Sequence, residues 1–80
     1  MAQYEVKLPE LGEGIEKAAV SFWHYEAGEK VNENDDLVEV ITEKAAFNVP
    51  SPASGKLIKV LFEEGDEIRI NETIALIETQ

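Results

Sequence analysis

A single lysine, Lys44, stands between two β-forming runs in the segment VEVITEKAAFNVPSP. Val38 to Thr42 and Ala46 to Val49 are rich in β-branched and aromatic residues, which favour strands. Glu43-Lys44-Ala45 therefore falls where a hairpin turns. A lysine at such a tip keeps its amine in water on a rigid base. An enzyme can find and modify that amine without unfolding anything. A group carried there would swing while its base stayed fixed. The plainer alternative is an ordinary surface lysine in a loop, and the rest of the chain decides against it. Other chemistry is poorly served. Ser21, Ser51 and Ser54 lack a histidine placed to activate a nucleophile. Cysteine is absent and His24 is the sole histidine, so no thiolate or histidine metal site is expected. LGEGI (11–15) holds Glu13 between its glycines and leads into no helix, which argues against a phosphate cradle.

The elements that must position Lys44 occur twice. YEAGEKVNENDDLVEVIT (25–42) aligns without gaps on FEEGDEIRINETIALIET (62–79), an offset of 37 residues. Gly28 matches Gly65, Glu29 matches Asp66, Asn34 matches Asn71 and Asp35 matches Glu72. The apolar positions Val31, Leu37 and Val40 match Ile68, Ile74 and Ile77. Two copies are too few for a solenoid, so two like halves closing around one core are expected. Each half reads as strand, turn, short strand, turn, strand. The first turn carries Glu-x-Gly-acid, where glycine tolerates positive φ. The second centres on Asn34 or Asn71, asparagine being the residue that most readily follows glycine into that region.

The long strands add a constraint. Val20, Trp23 and Tyr25, like Leu57, Val60 and Phe62, are spaced i, i+3, i+5 rather than alternating strictly. A β-bulge in each strand would return these residues to one inward face. Bends of that kind suit a small closed barrel or sandwich, which leaves few free edges. No stretch shows sustained helical periodicity, so an all-β fold is predicted. NVPSPASG (48–55) joins the halves, with Pro50 and Pro52 holding an extended link and Gly55 allowing the turn into the next strand.

Composition bounds the function. Eighty residues, 44% hydrophobic and 30% charged, make one small domain (1–80) able to bury a core. A net charge of −10 repels nucleic acid and anionic membrane. The acidity serves solubility or steers the domain toward basic partners. No run of 18 apolar residues offers a membrane span. MAQYEVKLPELGEG has neither a basic region nor an apolar core, so no secretory signal is expected and the setting is expected to be cytoplasmic. The chain ends at Gln80 with no Pro/Ala-rich linker after it, and excision from a longer chain is expected.

LPELGEGI, then W-x-x-x-x-G-E-x-V (Trp23, Gly28, Glu29, Val31), then EVITEKAAFNVPSPASGKL, then EEGDEI make a set of motifs spanning about Tyr4 to Glu78. In these the chain resembles the lipoyl domain of 2-oxo acid dehydrogenase acyltransferase (E2) components. The resemblance implies a flattened barrel of two four-stranded antiparallel sheets with pseudo-twofold symmetry. It implies lipoate joined by an amide bond to Lys44, with Glu43 and Ala45 flanking it for recognition. It also implies a monomeric carrier rather than a catalyst, cut from an acyltransferase chain. Such a carrier moves acyl groups and electrons between a decarboxylating dehydrogenase (E1), the acyltransferase core (E2) and dihydrolipoyl dehydrogenase (E3). A lipoate ligase or lipoyl transferase would load it.

Three positions depart from the family. Glu43 replaces the usual Asp, Asn71 stands where Gly is common, and Phe22 occupies a site that is often polar. Phe22 either packs partly beside the core or is an exposed partner contact. Biotin carrier domains share the fold, but their lysine usually lies between two methionines, and the only methionine here is Met1. A non-modified structural hybrid barrel is the remaining alternative, and it has no reason to place an acid-Lys-Ala turn at the tip.

Overall fold

In the computed structural model, which describes residues 2–79, the apolar runs become eight β-strands, with no helix among the described residues. They are β1 (Ala2–Lys7), β2 (Lys17–Trp23), β3 (Lys30–Val31), β4 (Asp36–Ile41), β5 (Ala46–Pro50), β6 (Gly55–Val60), β7 (Glu67–Arg69) and β8 (Thr73–Thr79). Two antiparallel sheets form, ordered β1-β8-β6-β3 and β5-β4-β2-β7. This is the expected flattened barrel. The repeat relates β2, β3 and β4 to β6, β7 and β8, and the sheet orders show β1 and β5 to be counterparts as well. Val6 lies opposite Ala75, and Val49 lies opposite Val38, which are matched positions. Sequence alignment missed the β1–β5 match because the loop after β1 is longer than the loop after β5.

The two halves exchange their short strands. β3 of the first half pairs with β6 of the second, and β7 of the second pairs with β2 of the first. Each glycine turn thereby docks on the other half. Gly28 N–H donates to the Leu57 carbonyl at 2.6 Å, and Gly65 N–H donates to the Val20 carbonyl at 2.8 Å. Both glycines have positive φ, 101° and 90°, and Asn34 and Asn71 follow at 74° and 70°. The acids of these turns are structural as well as solubilising. Carboxylates of Glu29, Asp35, Asp66 and Glu72 each accept a backbone N–H three residues earlier, at 2.8–3.0 Å. Asp35 also accepts the Tyr25 hydroxyl at 3.1 Å, and this bond raises the phenol above its ordinary pKa, with burial and neighbouring acids acting in the same direction.

Both predicted bulges are present. The register of β2 against β4 shifts between Val20 and Phe22, leaving Ser21 extra. The register of β6 against β8 shifts between Leu57 and Lys59, leaving the matched Ile58 extra. A second pair, at Leu37 in β4 and Ile74 in β8, went unpredicted. Its signature is two adjacent buried apolar residues, Leu37-Val38 and Ile74-Ala75, where a regular strand would send one outward. One core results. Val6, Leu8, Val20, Val31, Leu37, Val40, Val49, Leu57, Ile68, Ile74 and Ile77 are buried within it. Trp23, Tyr25, Val60 and Phe62 pack against it half-buried, and Trp23 Nε1 donates to the Phe62 carbonyl at 3.0 Å.

Gly55 is needed for a different reason from the one its sequence context offers. It is the first residue of β6, and its φ is not in the left-handed region. A Cβ there would run into the backbone carbonyl of Glu78 on β8. Its role is close strand approach, not turning.

Gly28→Val and Gly65→Val are each expected to cost more than about 1 kcal/mol, because a β-branched residue resists positive φ. No atom lies within 4 Å of an added Cβ at either site, so backbone strain and not a clash at Cβ is the expected cause. Gly28→Asn should lose less than Gly28→Val, since asparagine enters positive φ more readily than a β-branched residue. Gly55→Ala should lose about 1–3 kcal/mol through overpacking. Urea unfolding midpoints of the four variants check all of this.

Candidate functional site

The β4–β5 hairpin carries Lys44 at its tip. β4 ends at Ile41, one residue before the expected boundary, because Thr42 is used to build the turn. Thr42 N–H donates to the Ala45 carbonyl at 2.9 Å, closing the loop. The Thr42 hydroxyl donates to the same carbonyl at 3.0 Å. Its oxygen also accepts the backbone N–H groups of Lys44 at 3.2 Å and Ala45 at 3.1 Å. One side chain thus satisfies donors that would otherwise need water or a left-handed residue. No residue of the turn has positive φ. That explains why Glu-Lys-Ala is tolerated with no glycine. By sequence Thr42 reads as the last residue of the first β-run, matched to Thr79 in the repeat. The Ser/Thr-turn preference was the available signal for its role.

Glu43, Lys44 and Ala45 are all exposed. The Glu43 carboxylate makes none of the hydrogen bonds that define the turn. Glutamate in place of aspartate therefore changes the acid's reach and leaves the turn alone. The base beneath the tip is rigid: β5 pairs with β4 from Asp36–Pro50 to Ile41–Ala46, and Val38, Val40 and Val49 are anchored in the core. A fixed stem with a free amine meets the geometric need of a covalently carried group. An amide to Lys44 Nζ would leave the buried framework undisturbed.

A second segment comes to the tip that sequence reasoning had left apart. The glycine-rich loop after β1 folds back, with Ile15 N–H on the Gly12 carbonyl at 3.2 Å and Ile70 N–H on the Glu16 carbonyl at 3.1 Å. Gly14 ends beside the lysine: a Cβ on Gly14 would sit 3.9 Å from Lys44 Nζ. The loop is thus a neighbour of the tip. Phe22 lies elsewhere, on the outer face of its sheet opposite Glu39. It is 39% exposed, and its ring meets the edge of His24 at 4.8 Å. It does not pack against the core, and His24 in turn bonds Asn48 at 2.9 Å.

Comparison with known proteins bears on this site. The family model Biotin_lipoyl, described as "Biotin-requiring enzyme", matches residues 4–77. The chain is 38% identical over 74 residues, 92% of its length, to the dihydrolipoyllysine-residue succinyltransferase component of the 2-oxoglutarate dehydrogenase complex of Bartonella vinsonii subsp. berkhoffii. It is 36% identical over all 80 residues to the lipoamide acyltransferase component of the branched-chain alpha-keto acid dehydrogenase complex of Bacillus subtilis (strain 168). It spans only 18% and 19% of the lengths of these relatives. Among solved structures, the lipoyl domain of the Azotobacter vinelandii 2-oxoglutarate dehydrogenase complex superposes with a TM-score of 0.74 at 27% identity, covering 94% of this chain and 95% of that one. Urea carboxylase of Kluyveromyces lactis superposes at 0.82, covering 98% of this chain and 6% of that one, but at 18% identity this shows the fold alone.

Thr42→Val is expected to speed amide hydrogen exchange at Lys44 and Ala45 and to cost about 1 kcal/mol, the net worth of exposed hydrogen bonds. Thr42→Ser should restore both, since it keeps the hydroxyl.

Proposed function

The chain belongs to the Biotin_lipoyl family, and on that premise we propose that Lys44 is its attachment lysine and lipoate the group attached. The observation that carries this reading is an exposed lysine at a hairpin tip whose turn bonds are made by Thr42 and the backbone, leaving the amine free. Flanking chemistry supports lipoate over biotin. Glu43 and Ala45 border Lys44, and the chain's one methionine is Met1. The similarity to a lipoyl domain over almost the whole of both chains points the same way.

When bound, lipoate supplies a dithiolane that takes up an acyl group together with electrons. The protein's own part is positional. Lys44 contributes a four-carbon stem, so the carried group sweeps around a fixed point. Thr42 holds the base of that stem. The exposed Glu43 carboxylate, which takes no part in the turn's hydrogen bonds, is available to a basic surface of the loading enzyme. Ala45, without a long side chain, leaves the amine open to approach.

The domain serves as a carrier within an acyltransferase chain of a 2-oxo acid dehydrogenase complex, visiting the decarboxylating, acyl-transferring and flavoprotein components in turn. The names of the relatives support this, and the acids on the turns give a surface suited to basic docking faces. Tethering to such a complex would raise the local concentration of the arm to the millimolar range. The isolated domain is monomeric in this reading, and two of its four sheet edges, β3 and β7, are too short to offer a pairing surface.

Incubating the domain with purified lipoate ligase, lipoate and ATP should add the mass of one lipoyl group, seen by intact mass spectrometry. Lys44→Ala should abolish the addition while the thermal midpoint stays nearly unchanged, since exposed substitutions usually shift stability by under about 0.5 kcal/mol. A large fall in the midpoint would mark Lys44 as structural. Replacing Glu43 and Ala45 together by Met should slow lipoylation by roughly 5- to 150-fold, the worth of losing one charge-assisted contact of about 1–3 kcal/mol. Equal rates for parent and double variant would show that the ligase reads lysine position rather than its neighbours.

A further inference from the structure

A cleft of about 360 Å³ runs beside the hairpin, between the outer face of the β5-β4-β2-β7 sheet and the loop after β1. Strand register places Ile41, Ala19 and Glu67 in one row across β4, β2 and β7. Ala19 is the low point of that row, and Ile41 stands beside it. Gly14 and Ile15 of the loop form the opposite wall. The Lys17–Glu67 ion pair, at 3.4 Å, bounds the cleft on the β7 side. Ile41 is 48% exposed, an apolar side chain held in water with no core to join.

The internal symmetry supplies a control. The counterparts of Ala19 and Ile41 in the second half are Lys56 and Glu78, which pair across β6 and β8 as Ala19 and Ile41 pair across β2 and β4. The corresponding cleft there is lined by Lys30, Lys56 and Glu78. The fold therefore accepts charged side chains at these positions. The cleft beside Lys44 has charged walls too, Glu16, Lys17, Glu43 and Glu67, but its cross-strand pair Ala19–Ile41 is apolar where the other copy's is charged, and the Lys44 amine lies at its rim, next to Gly14.

Building on the assignment of Lys44 as the acylated lysine, we propose that this cleft is a resting site for the arm's own hydrocarbon chain and terminal dithiolane. The chain starts at the rim, so docking loses no translational freedom. Each methylene buried favours the docked state by roughly fourfold, offset by the lost rotation of its bonds. The cleft size falls within the ~300–1,000 Å³ range of small-molecule sites. Docking on an open surface of this kind is reversible, so the arm rests against the domain between visits and leaves when a partner binds it better.

The test loads Lys44 with octanoate, a hydrocarbon stand-in without the disulfide, and confirms the load by intact mass. A parallel sample carries Lys44→Cys alkylated with an N-octyl haloacetamide. The chain has no cysteine of its own, so the octyl group enters at one place. Nuclear Overhauser contacts are then measured between the octyl chain and the methyl groups of Ile41 and Ile15. Contacts in both samples are expected, together with slowed motion of the octyl chain. The double variant Ala19→Lys, Ile41→Glu transplants the charged pair of the other half, which the barrel already tolerates. It should abolish the contacts to Ile15, the reporter that remains, and restore free chain motion. No contacts to Ile41 or Ile15 in the alkylated parent, or Ile15 contacts and chain motion unchanged in the double variant, would overturn the proposal. A ligase that leaves Lys44 unloaded counts against the attachment assignment alone, because the alkylated sample still reads the cleft.

Discussion

The structure depends on a reciprocal exchange: each half of the barrel donates its glycine turn to the long strand of the other. Gly28 N–H meets the Leu57 carbonyl and Gly65 N–H meets the Val20 carbonyl, while Leu57 N–H and Val20 N–H return to the Glu29 and Asp66 carbonyls. Neither half could bury its apolar face alone, because β3 and β7 find partners only across the molecule. The bulges at Ser21 and Ile58 fall immediately after the residues that receive these turns. Closure and curvature are thus set at the same place. An 80-residue chain has a small core, and tying the halves together makes its burial cooperative.

The twofold relation accounts for the scaffold, and the Lys44 tip is among the places where it breaks. The Asn34 and Asn71 turns clip the ends of β5 and β1 by matching bonds, Asn34 N–H to the Ser51 carbonyl and Asn71 N–H to the Leu8 carbonyl. The Thr42–Ala45 hairpin and the Gly12–Glu16 loop have no counterparts in this scheme, and both end at Lys44. The apolar pair Ala19–Ile41, set against the charged pair Lys56–Glu78, is a third asymmetry at that end. Only differences between the copies can distinguish one tip from the other, and these three lie at the lysine's end, whereas Phe22, matched to Lys59, is a difference that lies elsewhere.

A carrier also has to be a poor aggregator and a stable pivot. The outermost strands are β1, β3, β5 and β7, and β3 and β7 are only two and three residues long. Short edges offer little backbone to a stray strand. Carboxylates at the four turns hold backbone N–H groups while adding negative charge, so the same residues serve stability and solubility. Below the tip, β4 is a central strand of its sheet, and its side chains Leu37, Val38 and Val40 are fully buried. The lysine stem thus stands on a strand anchored in the core.

Local chemistry made much of this legible in the sequence alone. The 37-residue repeat, the Gly and Asn turns, the bulges at Ser21 and Ile58 and the exposed Lys44 turn each depend on neighbouring residues, whose conformational preferences act over a few positions. Tertiary structure decided the rest, because it depended on distant backbone. Gly55 owes its identity to the Glu78 carbonyl, 23 residues away in the chain, rather than to any turn. The match of β1 with β5 was hidden by an unequal loop, and only strand pairing revealed it. Gly14 lies thirty residues before Lys44, and nothing in its local sequence says that the loop folds back beside that amine. Ile41 looked like one more strand residue until its exposure, and the charge of its counterpart Glu78, set it apart.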